Sequence, residues 1–179
     1  MVGYMVLAVI IVFIMIVLVR AVLFNPHREP EFLAGEILVD EDKVIKDMID
    51  MIRCKTVSNL DMSKIDTDEY VKFHELLKER FPMVHEMCNL EKIGDTGLLY
   101  LLKGEKNTEP AVLMAHYDVV PAEEKDWDKP AFEGLVEDGF IWGRGTLDTK
   151  GTVCGIFEAL EQLLKEGFVP GNDLYLSFS

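Results

Sequence analysis

Two short stretches of this chain hold residue types that could do chemistry together. In AHYDVVP, His116 and Asp118 stand two apart where an apolar run gives way to polar residues. Residues at that spacing on a strand point to the same side, and strand ends are where open α/β sheets bind ligands. A neutral imidazole there can take a divalent cation, and a neighbouring carboxylate can orient the ring and raise its basicity. A satisfied histidine in a turn is the plainer reading of His-x-Asp by itself. The second stretch, Gly143-Arg144-Gly145-Thr146-Leu147-Asp148-Thr149-Lys150-Gly151, opens a long helical pattern. Its glycines permit unusual turns and close backbone approach. Asp148 could ligate a metal or simply cap the helix, and taken alone the cap is the better reading. A phosphate loop is excluded, because the G-x-x-x-x-G-K-[ST] spacing is absent and Asp148 would repel phosphate.

The surrounding pattern supplies elements to position these residues. Val44, Ile45, Met48, Ile49 and Ile52 mark one apolar helical face. A second helix is predicted from Asp66, with Asp66 as cap and Glu69 reaching back, through YVKFHELLKER to Phe81-Pro82. Val84 to Ile93 and Leu98 to Lys103 read as short strands around the turn Gly94-Asp95-Thr96-Gly97. AVLMAHYDVV is apolar on both faces, which predicts a central, covered strand. FEGLVEDGFIWG predicts a hairpin turning at Asp138-Gly139. A helix is expected from about Thr149 to Glu166, ended by Gly167, and DLYLSFS alternates like a strand. The order implies an α/β fold with a mixed sheet flanked by helices. With no element after the last strand, the chain is expected to stop inside a domain.

Together the stretches become specific. The series AHYDVVP, DWDKPAF and EDGFIWGRGTLDTKG resembles the M20 family of metallopeptidases and amidohydrolases, with wording most similar to its carboxypeptidase S branch. The resemblance covers residues 40–179. It implies a zinc-dependent exopeptidase-like catalytic domain, here only its N-terminal part, without the lid domain inserted in such enzymes. It implies two zinc ions, with cobalt or manganese as substitutes. His116 would bind one zinc, Asp148 would bridge both, and Asp118 would be the catalytic-site carboxylate supporting His116. Arg144 and Lys150 would hold the loop. The implied activity is hydrolysis of an amide or peptide bond next to a carboxylate, on a peptide or N-acyl amino acid, and the complete enzyme would pair as a homodimer. The family's adjacent Glu-Glu pair, one of them the general base, is expected beyond Ser179, so these residues alone are expected to be inactive. The alternative is an inactive membrane-bound remnant or interaction module. One departure is Thr149, where the branch commonly has an acidic residue.

Composition sets the remaining bounds. Residues 2–19 carry no charge, and the apolar run continues past Arg20 to Phe24. As a helix, residues 2–24 would span about 34 Å at roughly 1.5 Å per residue, enough for a hydrocarbon core of about 30 Å. The run is too long for a signal-peptide core and lacks a basic start and a small-x-small exit. The expectation is a single-pass anchor at 1–24, a linker at 25–39 opened by Asn25-Pro26, and the catalytic part at 40–179. Arg20 and Arg28 lean the domain toward the cytoplasmic side; the side of the membrane stays open. All 32 Asp and Glu lie at or beyond Glu29, and the net charge is −14, which argues against nucleic-acid binding. Cys54, Cys88 and Cys154 are scattered and odd in number, so buried free thiols are expected. His27, His74 and His85 are expected to be solvated or packed rather than ligating.

Overall fold

The computed structural model describes residues 2–24 and 38–179, which fall in two compact units, Met1–Leu38 and Val39–Ser179. The predicted linker, residues 25–39, and His27 fall almost wholly outside the described residues. In the first unit, α1 (Val2–Leu23) is a single helix. Its apolar side chains are exposed all round, and it is long and apolar enough to cross a membrane.

The second unit opens with α2 (Glu41–Arg53), capped by the Asp40 carboxylate, which accepts the Lys43 N–H at 3.1 Å. Its apolar stripe buries Met48, Met51 and Ile52. Helix α3 (Thr67–Arg80) is capped by Asp66, as its sequence predicts. Glu69 does not close the capping box. It reaches instead to the Lys55 N–H at 2.6 Å, pinning the chain after α2 to the start of α3. The stretch Val84–Met87, expected to begin a strand, is helical: α4 (Pro82–Met87) follows α3 directly. Proline suits the first helical position, where its missing N–H costs nothing. The Glu161 side chain accepts the buried Val84 N–H at 3.1 Å.

A four-stranded mixed sheet has the order β1-β2-β6-β3. β1 (Asn89–Ile93) and β2 (Gly97–Leu102) form the expected hairpin. β6 (Asn172–Phe178) pairs antiparallel with β2 and parallel with β3 (Lys106–Ala115). The predicted central strand is therefore an edge among the described residues, with Val112, Leu113 and Met114 exposed. β6 takes the interior place because its alternating residues bury Leu176 and Phe178 against the helices while both its edges are paired. β4 (Leu135–Glu137) and β5 (Phe140–Trp142) make a second hairpin. Asp138 at φ 54° and Gly139 at φ 80° are the pair of left-handed residues that a tight two-residue turn requires.

α5 (Gly151–Lys165) packs on the sheet through Val153, Phe157, Leu160 and Leu164. Gly167 (φ 83°) ends it, with Gly167 N–H donating to Leu164 O and Phe168 N–H to Leu163 O, both at 3.0 Å. These two bonds satisfy carbonyls that the last turn would otherwise orphan. The helix begins two residues later than expected. Phe157 centres the core, its ring 5.0 Å from Phe81, 5.2 Å from Phe178 and 5.4 Å from Tyr100. Polar staples join the helices: Lys43 of α2 reaches Asp47 at 2.7 Å and Glu158 of α5 at 2.8 Å, and Arg80 of α3 reaches Asp50 at 2.7 Å. All three cysteines are free and buried; burial pushes the thiols up, Cys88 to about 11 and Cys154 to about 12.

Phe157→Ala removes the ring that joins the helices to the sheet. A loss of about 3–5 kcal/mol is expected in denaturant unfolding.

Candidate metal centre

The backbone after β3 stays extended because three segments hold it. Tyr117 N–H donates to Ser179 O at 2.7 Å, on the β6 side. Thr56, wholly buried, donates its hydroxyl to Tyr117 O at 2.5 Å, and Val119 N–H donates to Thr56 O at 2.8 Å. Val57 and Val119 form a parallel bridge. Side chains along 116–118 therefore alternate. The Tyr117 ring enters the core, stacked on Phe73 at 4.5 Å, with its hydroxyl bonded to His74 and to Thr96 O. His116 and Asp118 take the other side.

There the three residues singled out from sequence meet. His116 Nδ1 lies 2.9 Å from Asp118 Oδ1, and His116 Nε2 lies 2.9 Å from Asp148 Oδ1. Asp148 comes from the turn before α5 and is not its cap. Its φ/ψ of −128°/89° are non-helical, and α5 has Lys150 in the cap position with no side-chain cap bond. The Asp148 side chain is 85% exposed, so it can move toward a ligand. His116, Thr149, Thr152, Met114, Ala115 and Ser179 line a cleft of about 390 Å³.

Partial burial of His116 works against its charged form, but the contacts with Asp118 and Asp148 outweigh it and hold the imidazole above its ordinary value of 6.5. Nδ1 faces Asp118 Oδ1 and the Asp118 main-chain O, and Nε2 faces Asp148 Oδ1, an arrangement that favours a proton on each nitrogen. Asp118 fixes Nδ1 as a donor and leaves Nε2 facing Asp148, as the partner of a metal-ligating histidine does. This donor chemistry fits a divalent cation. Among the described residues no group of three or more His, Cys, Asp and Glu is arranged to hold a metal ion, whereas a catalytic zinc site takes three protein ligands.

The glycine-rich loop packs closely against protein. A Cβ on Gly145 (φ 88°) would come within 2.7 Å of Val119 Cγ1, and one on Gly143 within 2.6 Å of Ile52 Cγ2. Lys150 turns inward, fully buried, and donates to Met51 O at 2.9 Å and Cys54 O at 2.6 Å, the carbonyls that end α2. Arg144 lies over Trp127 at 4.9 Å, and its N–H donates to Ala131 O at 2.7 Å. His74 is buried against Tyr117, and His85 sits on α4, bonded to Phe81 O and Tyr100. Sequence reading passed over Thr56 and Tyr117, and it gave Thr149 no role. The Thr149 hydroxyl accepts the His116 N–H at 2.9 Å and donates to His116 O at 2.7 Å. No sequence pattern marks these bonds, since each joins segments far apart in the chain.

The model of peptidase family M20/M25/M40 matches residues 112–179, the stretch that carries His116, Asp118 and Asp148. Residues 112–179 belong to the M20 family. A probable carboxypeptidase S-like protein of Dictyostelium discoideum is 42% identical over 128 residues, 69% of this chain and 25% of that protein. The N-fatty-acyl-amino acid synthase/hydrolase of Bos taurus is 38% identical over 129 residues, 70% of this chain and 25% of its own length. The chain spans about a quarter of the length of these two relatives. Human carnosine dipeptidase 1 has a similar fold, with a TM-score of 0.63 at 14% identity over 78% of this chain and 32% of its own. So does a Bacillus subtilis M20 peptidase described as dinuclear metal binding, with a TM-score of 0.50 at 16% identity over 78% of this chain and 36% of its own. The mixed α/β fold expected from sequence is that of these peptidases.

Two titrations follow from the site. In metal-free protein the His116 ring should titrate above 6.5 by NMR, and Asp148→Asn should bring it down. The stabilisation from these contacts is fully present below pH 6.5 and lost as pH rises through the raised value. Burial lowers Lys150 from 10.5 to about 8. Its folded state gives up a proton that the unfolded chain retains, so its contribution is complete above pH 10.5 and falls away as pH drops through about 8. The difference in unfolding free energy between the wild type and Lys150→Met should therefore shift toward the wild type as pH is raised from 8 to 10.5.

Proposed function

We propose that this chain supplies one side of a two-cation active site that hydrolyses an amide or peptide bond next to a carboxylate, as a carboxypeptidase or N-acyl-amino-acid hydrolase. The observation that carries the reading is the His116 imidazole held between Asp118 and Asp148 at 2.9 Å on either side. M20 membership and relatives that carry carboxypeptidase and N-fatty-acyl-amino acid hydrolase names support the hydrolytic class. His116 would hold one zinc through Nε2, and Asp148 would bridge two; cobalt or manganese would serve in their place. Such a cation pair, when bound, polarises the scissile carbonyl and acidifies water. Asp118 keeps the His116 ring in the donor tautomer and orientation. Lys150 and Arg144 hold the loop that carries Asp148. His116 and Asp148 are the two donors this reading assigns among the described residues.

In this proposal α1 is a single-pass N-terminal anchor and residues 40–179 form part of the catalytic domain, joined by residues 25–39. Exposure of apolar side chains around the whole of α1 supports the anchor, since a helix apolar on every face needs an apolar surrounding.

The test uses protein that contains these residues within a whole M20 domain, assayed on N-acyl amino acids and on peptides with a free C-terminal carboxylate. His116→Ala or Asp148→Ala should lower kcat/KM by more than about 100-fold, and Asp118→Asn by about 10–100-fold. Unchanged activity in either alanine variant rejects the assignment.

A further inference from the structure

We propose that Thr149 is a positioning residue for His116, setting the imidazole against Asp148 so that both can grip one cation; this rests on the metal site proposed above. One oxygen makes both contacts: Thr149 Oγ1 accepts the His116 N–H at 2.9 Å and donates its proton to His116 O at 2.7 Å. A hydroxyl can do both at once, since it carries one donor and two acceptor lone pairs. An ionised carboxylate could only accept, and an aliphatic side chain could do neither.

The location gives the bond its purpose. It joins residues 33 apart in sequence and ties the end of β3 to the turn that presents Asp148, the residue just before Thr149. The backbones that carry the two donor groups are thereby fixed to each other through a single side chain. Helix formation does not account for the bond, because Thr149 has φ/ψ of −135°/30° and lies outside α5. The turn has its own backbone closure, from Lys150 N–H to Gly145 O at 2.9 Å. Thr149 also lines the cleft beside the His116 ring. A residue at this distance from a ligand acts on affinity by orienting it, and losing such a partner typically costs about 10–100-fold in metal binding.

The experiment measures Zn²⁺ binding by calorimetry to protein that contains these residues within a whole M20 domain, with Co²⁺ absorption as a second probe, alongside amide hydrogen exchange at His116. Thr149→Val keeps the side-chain shape and removes both bonds. It should weaken Zn²⁺ binding by about 10–100-fold and remove protection of the His116 amide. Thr149→Ser keeps the hydroxyl and should restore both. If the valine variant does not fold, Thr149→Ala, which also lacks the hydroxyl, takes its place. Zn²⁺ binding by the valine variant at wild-type strength, or serine failing to rescue, overturns the positioning role. His116→Ala separates the two proposals. Should it bind Zn²⁺ like the wild type, or should the wild type bind none, the metal site itself fails, whatever the amide exchange shows. Should it lose binding while Thr149→Val keeps it, only the role of Thr149 fails.

Discussion

The site depends on the backbone from His116 to Val119 staying extended after the sheet has ended. A strand that leaves its sheet normally turns or frays, because its N–H and C=O groups lose their partners. Here the groups are taken up by Ser179 on the β6 side, by Thr56 through both its main chain and its hydroxyl, and by Ser58, whose N–H donates to Val119 O at 3.0 Å. Extension preserves the alternation of side chains. Alternation puts the Tyr117 ring into the core and leaves His116 and Asp118 together on the outer side. The cluster of Tyr117 with Phe73 and Tyr70 then anchors the segment from below, so the reactive side chains stand on packed aromatic rings rather than on a loose loop.

The second support is electrostatic and works from inside. At the end of α2 the Met51 and Cys54 carbonyls accept the main-chain N–H of Cys54 at 3.3 Å and of Thr56 at 2.9 Å, and the Lys150 ammonium gives each a second partner. A cationic group at the negative end of a helix is favoured, and the ring of Phe73 lies 5.5 Å from the same nitrogen. Burial opposes the charge, which is why the group is held down to about 8. The same side chain thus terminates α2 and holds the turn before α5, so the loop bearing Asp148 is fastened to the helical layer as well as to the sheet.

Periodicity made most of the architecture readable. α2 and the body of α5 show single apolar faces, Asp66 marks the start of α3, and Asp138-Gly139 marks its hairpin. From these the mixed α/β class followed. The errors arise where local pattern is ambiguous. Val84–Met87 contains apolar residues without a period, and Pro82 reads equally as a stop or as a first helical position. The apolar run of β3 says that it pairs, but not on which side of β6. Within the site, strand alternation alone places His116 beside Asp118. The approach of Asp148 was visible only through the motif series, since by itself it read as a cap. The contacts of Thr56, Thr149 and Lys150 were invisible, because each binds main-chain atoms 61, 33 and up to 99 residues away, and main-chain partners leave no trace in side-chain pattern.

The bond from Thr149 also changes the rim of the sheet. An open edge strand offers a row of unpaired main-chain groups to which another chain can add. At His116 both groups on that rim are already engaged by the threonine hydroxyl. A strand arriving along β3 therefore finds a template over Val112 to Met114 and none at the reactive end. Among the described residues, a strand that added along β3 would stop short of the imidazole.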